Sequence, residues 1–207
     1  MALLTYHGKV VFAGAGCGDP ELVTVKTARY LQQADVVITD RLVSPTILQE
    51  YVNPQAKLIY VSKEHGNSHS VSQEQINQLL LKYTITNQLV VRLKGGDVSI
   101  FANLVDEIET LLKHNVSYEV IPGITAAIGA AAFSGIPLTA RRGAQAVRFI
   151  TMCHLEKLSS NLWQELAATK DTLVLYMSSK NLKAITQQLV WHQVHPDRKL
   201  AVIEQAT

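Results

Sequence analysis

VVFAGAGCGDPELVTVKTARYLQQADVVITD, residues 10–40, decides how the chain is read. A short apolar run (10–14) meets a glycine-rich turn, a helical stretch follows, and a second apolar run (35–39) ends on Asp40. Glycine between a strand and a helix lets a ligand approach the backbone, because no side chain stands in the way. A dinucleotide fingerprint needs G-x-G-x-x-G running straight into a helix whose dipole meets a pyrophosphate. Here the spacing is G-x-G-x-G, and Asp19-Pro20 interrupts the chain, so Thr24 is the expected helix N-cap. A phosphate-binding P-loop would end in Gly-Lys-Ser/Thr, which is absent. Asp40 stands where a ribose-binding acid would, which leaves a dinucleotide-dependent oxidoreductase as a competing reading on spacing alone.

The same texture continues outward. KLIYV (57–61), QLVVRL (88–93) and SYEVI (117–121) are short and apolar, as strands covered on both faces of a parallel sheet are. Helical patterns lie between them. SQEQ at Ser72 matches a capping box, with Ile76, Leu79, Leu80 and Tyr83 following on one face. Val105, Ile108, Leu111 and Leu112 mark another helix. Alternation of this kind predicts an α/β fold. Near VIPGIT (120–125) the texture changes, and 126–133 is rich in alanine and glycine, as a helix pressed closely against something would be. AVRFIT, TLVLYM and KLAVIE are candidate strands beyond it. Two domains are expected, 1–119 and 120–207. KLAVIEQAT reads as a strand running into a loop, so the second domain is expected to lack its last strands.

Composition narrows the function. The 207 residues are 47% hydrophobic and 17% charged, which suits a packed domain, and a formal charge of +2 gives no basis for nucleic-acid binding. No apolar run approaches the roughly 18 residues of a membrane span, and MALLTYHGKV has no signal-peptide core. Cys17 and Cys153 are too few for a disulfide framework or a zinc site. A reduced, cytoplasmic protein binding neither membrane nor nucleic acid is expected. Three glycine-bearing turns, GAGCGD, KGGD (94–97) and PGIT (122–125), follow candidate strands. In an open parallel sheet all would emerge at the carboxyl edge, where small molecules bind.

These residues carry a resemblance. GAGCGDPELVTVKTARYLQQADVVITDRLVS, HSVSQEQIN, VVRLKGGD, PGITAA and GIPLTARRGAQAV, in this order over nearly the whole chain, resemble the tetrapyrrole methylase family, and DRLVS, HSVSQEQIN and RLKGGD resemble its uroporphyrinogen-III C-methyltransferases. The resemblance implies two α/β domains, an N-terminal mostly parallel sheet and a C-terminal mixed sheet with a cleft between them, and a homodimer. It also implies two methyl transfers from S-adenosylmethionine to uroporphyrinogen III, giving precorrin-2 for sirohaem and cobalamin, with S-adenosylhomocysteine left behind and no metal. A degenerate relative that binds donor or tetrapyrrole without turnover is the alternative.

The resemblance also assigns residues. Asp40 falls at the proposed base and Lys63 at the proposed proton donor. Arg41 is placed to hold a substrate carboxylate, with Arg141 and Arg142 as weaker candidates. Gly16 and Cys17 belong to the first donor-binding loop; Gly95, Gly96, Asp97 and Ile100 fall on the methionine end of the donor. Thr125 and Ala126 continue that contact, Met177 falls on its adenosine side, and Ala206 stands at a small-residue position. The chain departs from the family at Cys17, where proline is usual, and in VSIFANLVDE (98–107), which lacks a proline and a Gly-Arg-Gly-Gly run. His65 and His69 lack a third metal ligand, and methyl transfer from a sulfonium needs no thiol such as Cys153 beside His154.

Overall fold

Parallel pairing organises the first half of the chain. The computed structural model describes residues 6–61, 71–86 and 88–204. β1 (Lys9–Gly14), β2 (Val36–Thr39), β3 (Lys57–Tyr60), β4 (Leu89–Lys94) and β5 (Ser117–Ile121) form one sheet in the order β3-β2-β4-β1-β5. Every neighbouring pair is parallel, with Gly14 opposite Lys94 and Ala13 opposite Ile121. Alternate residues of the central strands go to opposite faces. Val11, Ala13, Val37, Val91 and Leu93 pack against Leu31 of α1 (Val25–Gln33) and Ile47 and Leu48 of α2 (Pro45–Tyr51). Val10, Phe12, Val36, Ile38 and Val90 pack against Ile76 and Leu80 of α3 (Gln73–Thr84) and Leu111 of α4 (Leu104–Lys113). Both faces are covered, which is why the central strands read as unbroken apolar runs. The two edge strands differ: Tyr60 of β3 is 57% exposed and Val120 of β5 is 39% exposed.

Local signals set the helix ends. Thr24 caps α1 by accepting from Thr27 N at 3.1 Å. The Asp19-Pro20 interruption is a short 3-10 turn, Pro20–Leu22, capped by Asp19. Ser72 and Gln75 form both bonds of the capping box, at 3.1 and 2.8 Å, a device worth about 1 kcal/mol. α4 departs from its apolar pattern. Val105 and Leu112 are exposed, while the acidic Glu107 is fully buried beside Leu111. Val105 and Leu112 lie two turns apart on one face, opposite the one that meets the sheet.

The chain divides into two compact units, one running to Gly129 and the other beginning at Ala130. This division lies beyond the 119/120 boundary expected, because β5 pairs with β1 as far as Ile121 and the turn after it bonds to Asp97. It falls within α5 (Ala126–Phe133). In the second unit β6 (Val147–Thr151) and β7 (Thr172–Tyr176) pair in parallel. α6 (Ser160–Ala168) and α7 (Leu182–Trp191) complete its core around Met152, Trp163, Leu166 and Ile185. The described strands here are parallel rather than mixed. KLAVIE is not a strand: residues 199–204 lack regular structure, and Leu200 and Val202 are exposed. β-branched residues favour a strand only where a partner accepts their hydrogen bonds.

Candidate active site

The strand order builds the site. β1 runs on to α1 on one face, whereas its neighbour β4 runs on to α4 on the other. Right-handed crossovers impose that split, and where adjacent connections part a crevice opens at the carboxyl ends of the strands. The turns after β2, β4, β1 and β5 therefore stand side by side along one edge.

Three of them are locked together through their backbones. Gly16 N donates to Gly96 O at 3.1 Å and Gly96 N to Gly16 O at 2.7 Å. Both residues are left-handed, with φ of +77° and +70°, a conformation glycine adopts at no steric cost. The PGIT turn closes from the other side: a Cβ on Gly123 would stand 2.3 Å from Gly96 O and 2.8 Å from Gly14 Cα. Gly14 and Gly123 thus meet each other and the Gly96 carbonyl where only hydrogen fits. Asp97 ties the same junction, its Oδ2 accepting from Gly123 N at 2.9 Å and its Oδ1 from Ser99 N at 2.8 Å. Burial pushes the Asp97 carboxyl up, but the Ser99 hydroxyl and the two backbone N–H groups outweigh it and hold the group below its ordinary value.

The sequence-derived residues fall as follows. Gly16, Gly95, Gly96 and Asp97 are at the junction, and a Cβ on Gly96 would meet nothing nearer than Thr125 Cα at 3.7 Å and Ala126 N at 3.9 Å, so that side is uncrowded. Thr125 is buried, and Ile100 N closes the KGGD turn onto Asp97 O at 3.4 Å. Cys17 packs on α5, where a Cβ on Gly129 would lie 2.4 Å from its Sγ. This close approach accounts for the small residues expected there. Asp40 directly follows β2, half-buried, and its Oδ1 accepts from Leu42 N at 3.1 Å. A Cβ on Gly95 would stand 2.9 Å from Leu42 Cβ, so the Asp40 turn abuts the KGGD turn. Arg41 is exposed.

The remainder belong to the second unit or lie outside the described residues. Met177 ends β7 in the second unit, left-handed with φ 55° and exposed. Arg141 and Arg142 are exposed in that unit, and His154 pairs with Glu156 at 3.2 Å. Lys63, His65, His69 and Ala206 lie outside the described residues. Among the described residues no cluster of His, Cys, Asp or Glu is able to hold a metal, and no helix is long and apolar enough to cross a membrane. Sequence reasoning missed the Gly14–Gly123 contact and the burial of Lys94 and Glu107. The available signal for Glu107 was its place three residues after Leu104 and four before Leu111, on the apolar side of the helix, unlike Asp106 and Glu109.

Residues 9–207 match the family model described as Tetrapyrrole (Corrin/Porphyrin) Methylases. The chain belongs to the tetrapyrrole methylase family. Members are methylases whose donor is S-adenosylmethionine. The chain is 50% identical over 201 residues to a siroheme synthase of Acinetobacter baylyi, covering 97% of this chain and 43% of that protein. A siroheme synthase of Ruthia magnifica is 46% identical over 204 residues, 98% of this chain and 43% of the relative. The chain thus spans less than half the length of these relatives. Among solved structures it is similar to uroporphyrin III C-methyl transferase from Thermus thermophilus, with TM-score 0.75, 35% identity, and 91% of this chain and 79% of that one covered. The same Thermus enzyme complexed with S-adenyl homocysteine gives TM-score 0.74 at 35% identity, over 90% of this chain and 77% of that one. A cobalt precorrin-4 methyltransferase gives TM-score 0.78 at 28% identity, over 90% and 75%.

Proposed function

We propose that the chain is an S-adenosylmethionine-dependent C-methyltransferase converting uroporphyrinogen III to precorrin-2 by two methyl transfers, ahead of sirohaem or cobalamin formation. The observation that carries this reading is the backbone junction of Gly14, Gly16, Gly96 and Gly123 with the Asp40 turn beside it, built from segments that resemble uroporphyrinogen-III C-methyltransferases. Similarity to the Thermus enzyme supports the choice of substrate.

When bound, the donor supplies a methyl group already activated on a sulfonium, so the chain's work is alignment and exclusion of water. Gly95 and Gly96 leave room for the donor's methionine end, and Asp97 keeps that turn against Gly123. Ile100, Thr125 and Ala126 extend the contact, with Met177, Ala206, Gly16 and Cys17 as the remaining donor residues. Asp40 places a carboxylate to stabilise the positive charge that develops on the pyrrole as its carbon attacks the sulfonium methyl, and to take up the proton the ring then loses. Its bond to Leu42 N fixes the orientation of that carboxylate. Arg41 engages a substrate carboxylate through charge-assisted hydrogen bonds. Lys63 is the proton donor in this reading, and the working form is a homodimer.

The test is anaerobic incubation with S-adenosylmethionine and enzymatically generated uroporphyrinogen III. A mass gain of two methyl groups is expected. Donor binding without mass gain would favour a non-catalytic relative, and no donor binding would defeat both readings. Asp40→Ala is expected to keep affinity for S-adenosylhomocysteine while turnover falls; unchanged turnover would remove Asp40 from the chemistry.

A further inference from the structure

Beneath the KGGD turn lies a buried group of charges that methyl transfer does not itself use. The side chains of Arg92, Lys94 and Glu107 are 5%, 3% and 1% exposed. Lys94 Nζ stands 2.9 Å from Glu107 Oε1, and Arg92 Nε stands 3.5 Å from the same oxygen. Arg92 Nη1 donates to the carbonyls of Ile38 at 3.3 Å and Leu93 at 3.1 Å. One carboxylate thus lies between two cations. Desolvating charges is costly, and a buried pair is weak evidence for a stabilising role.

Lys94 makes one contact that Arg92 does not. Its Nζ donates to the carbonyl of Ala102 at 2.5 Å. Lys94 is the last residue of β4, and α4 begins at Leu104, so this bond closes the neck of the 95–103 loop. The backbone around the acceptor needs such a hold. Phe101 and Asn103, on either side of Ala102, are left-handed with φ of 52° and 51°. For a residue other than glycine that conformation costs roughly 1–2 kcal/mol, and it persists only where the surroundings impose it. No glycine stands between Val98 and Val105 to take up these conformations without strain. A loop that holds Phe101 and Asn103 in the left-handed region needs an anchor, and the ammonium held by Glu107 supplies one. Gly95, Gly96, Asp97 and Ile100 all lie on the loop so closed.

We propose that Lys94 is a positioning residue for methyl transfer, its buried ammonium holding the 95–103 loop in the shape that grips the donor. This deepens the functional reading above and rests on it. Arg92 has a different task, joining β2 to β4 through the Ile38 carbonyl.

Lys94→Met keeps the aliphatic stem, removes the ammonium and leaves Glu107 with Arg92 as its counter-ion. Arg92→Met takes a charge from the same buried group and leaves the Lys94–Ala102 bond in place. Calorimetry with S-adenosylhomocysteine should show Kd raised about tenfold or more in Lys94→Met and held within about twofold in Arg92→Met. Hydrogen exchange in the ligand-free proteins should be faster over residues 95–103 in Lys94→Met alone, with β1 unchanged. Wild-type Kd in Lys94→Met, or equal weakening in both variants, overturns the proposal, since either result leaves Lys94 a structural charge. If Lys94→Met does not fold, Lys94→Gln, too short to reach Ala102, decides the matter by the same affinity criterion. Wild-type protein that fails to bind S-adenosylhomocysteine defeats the functional reading and this one with it; binding that Lys94→Met leaves untouched defeats this one alone.

Discussion

Gly123→Ala puts the convergence of the three turns under direct strain. The added Cβ would lie 2.3 Å from Gly96 O, 2.8 Å from Gly14 Cα and 2.9 Å from Gly14 C. Ordinary contacts begin near 3.4 Å, so the turns must part by about 1 Å. None of the obstructing atoms belongs to a side chain that could rotate away. Two of the three turns are also bonded to each other through Gly16 and Gly96, so neither yields independently. Overpacking costs about 1–3 kcal/mol, and a wholly main-chain obstruction belongs at the upper end. For a chain of this length about 3 kcal/mol corresponds to a Tm lower by about 6–12 °C. A reacting geometry displaced by about 1 Å loses far more in function, as much as about a hundredfold in turnover. Thermal unfolding followed by circular dichroism measures the first effect, and calorimetry on S-adenosylhomocysteine with initial rates of methyl transfer measures the second. Gly143→Ala is the comparator, because its Cβ would meet only the Ala140 Cβ, at 3.5 Å. Wild-type Tm and wild-type affinity in Gly123→Ala would refute the junction described above.

Asp97→Asn tests the tie between the KGGD and PGIT turns. Both carboxylate oxygens accept from N–H groups, and an amide must turn its own NH2 towards one of them; a loss of about 1 kcal/mol in urea unfolding and weaker donor binding are expected. Gly129→Ala would place a Cβ 2.4 Å from Cys17 Sγ and 2.9 Å from Cys17 Cβ, at a cost of about 1–3 kcal/mol. Cys17→Gly in the same background should recover most of it, and additive losses in the double-mutant cycle would show that the two residues do not meet. Bonds from Lys26, Lys9 and Tyr30 hold the Glu119 carboxyl at about 2, against an ordinary 4.5. A depressed carboxyl stabilises the fold above its unfolded value and loses that contribution as pH falls towards the folded one. Acid unfolding of Glu119→Gln should therefore converge with wild type between pH 4.5 and about 2, and a constant gap across that window would contradict it.

Much of this protein is local and so is legible in the chain. The strands at 10–14, 35–39 and 88–93 declare themselves by β-branched apolar runs, because a strand buried on both faces tolerates little else. Thr24 and Ser72 announce helix starts, since their hydroxyls satisfy nearby backbone N–H groups whatever lies beyond. The glycine turns and Asp40 are recognisable from spacing and from the family pattern. What the sequence could not state is the order in which the strands lie. The placing of β4 between β2 and β1 sets the KGGD turn beside both Asp40 and the first glycine loop, and contacts between residues 54 and 80 positions apart leave no periodic trace.

For the same reason, only the folded chain revealed that Gly14 and Gly123 touch, that Glu107 is buried and that Lys94 reaches Ala102. Each depends on which face a residue presents and on what arrives there from elsewhere. KLAVIE marks the opposite limit. Its composition favours a strand, yet a strand exists only in the company of another, and that company is a property of tertiary structure.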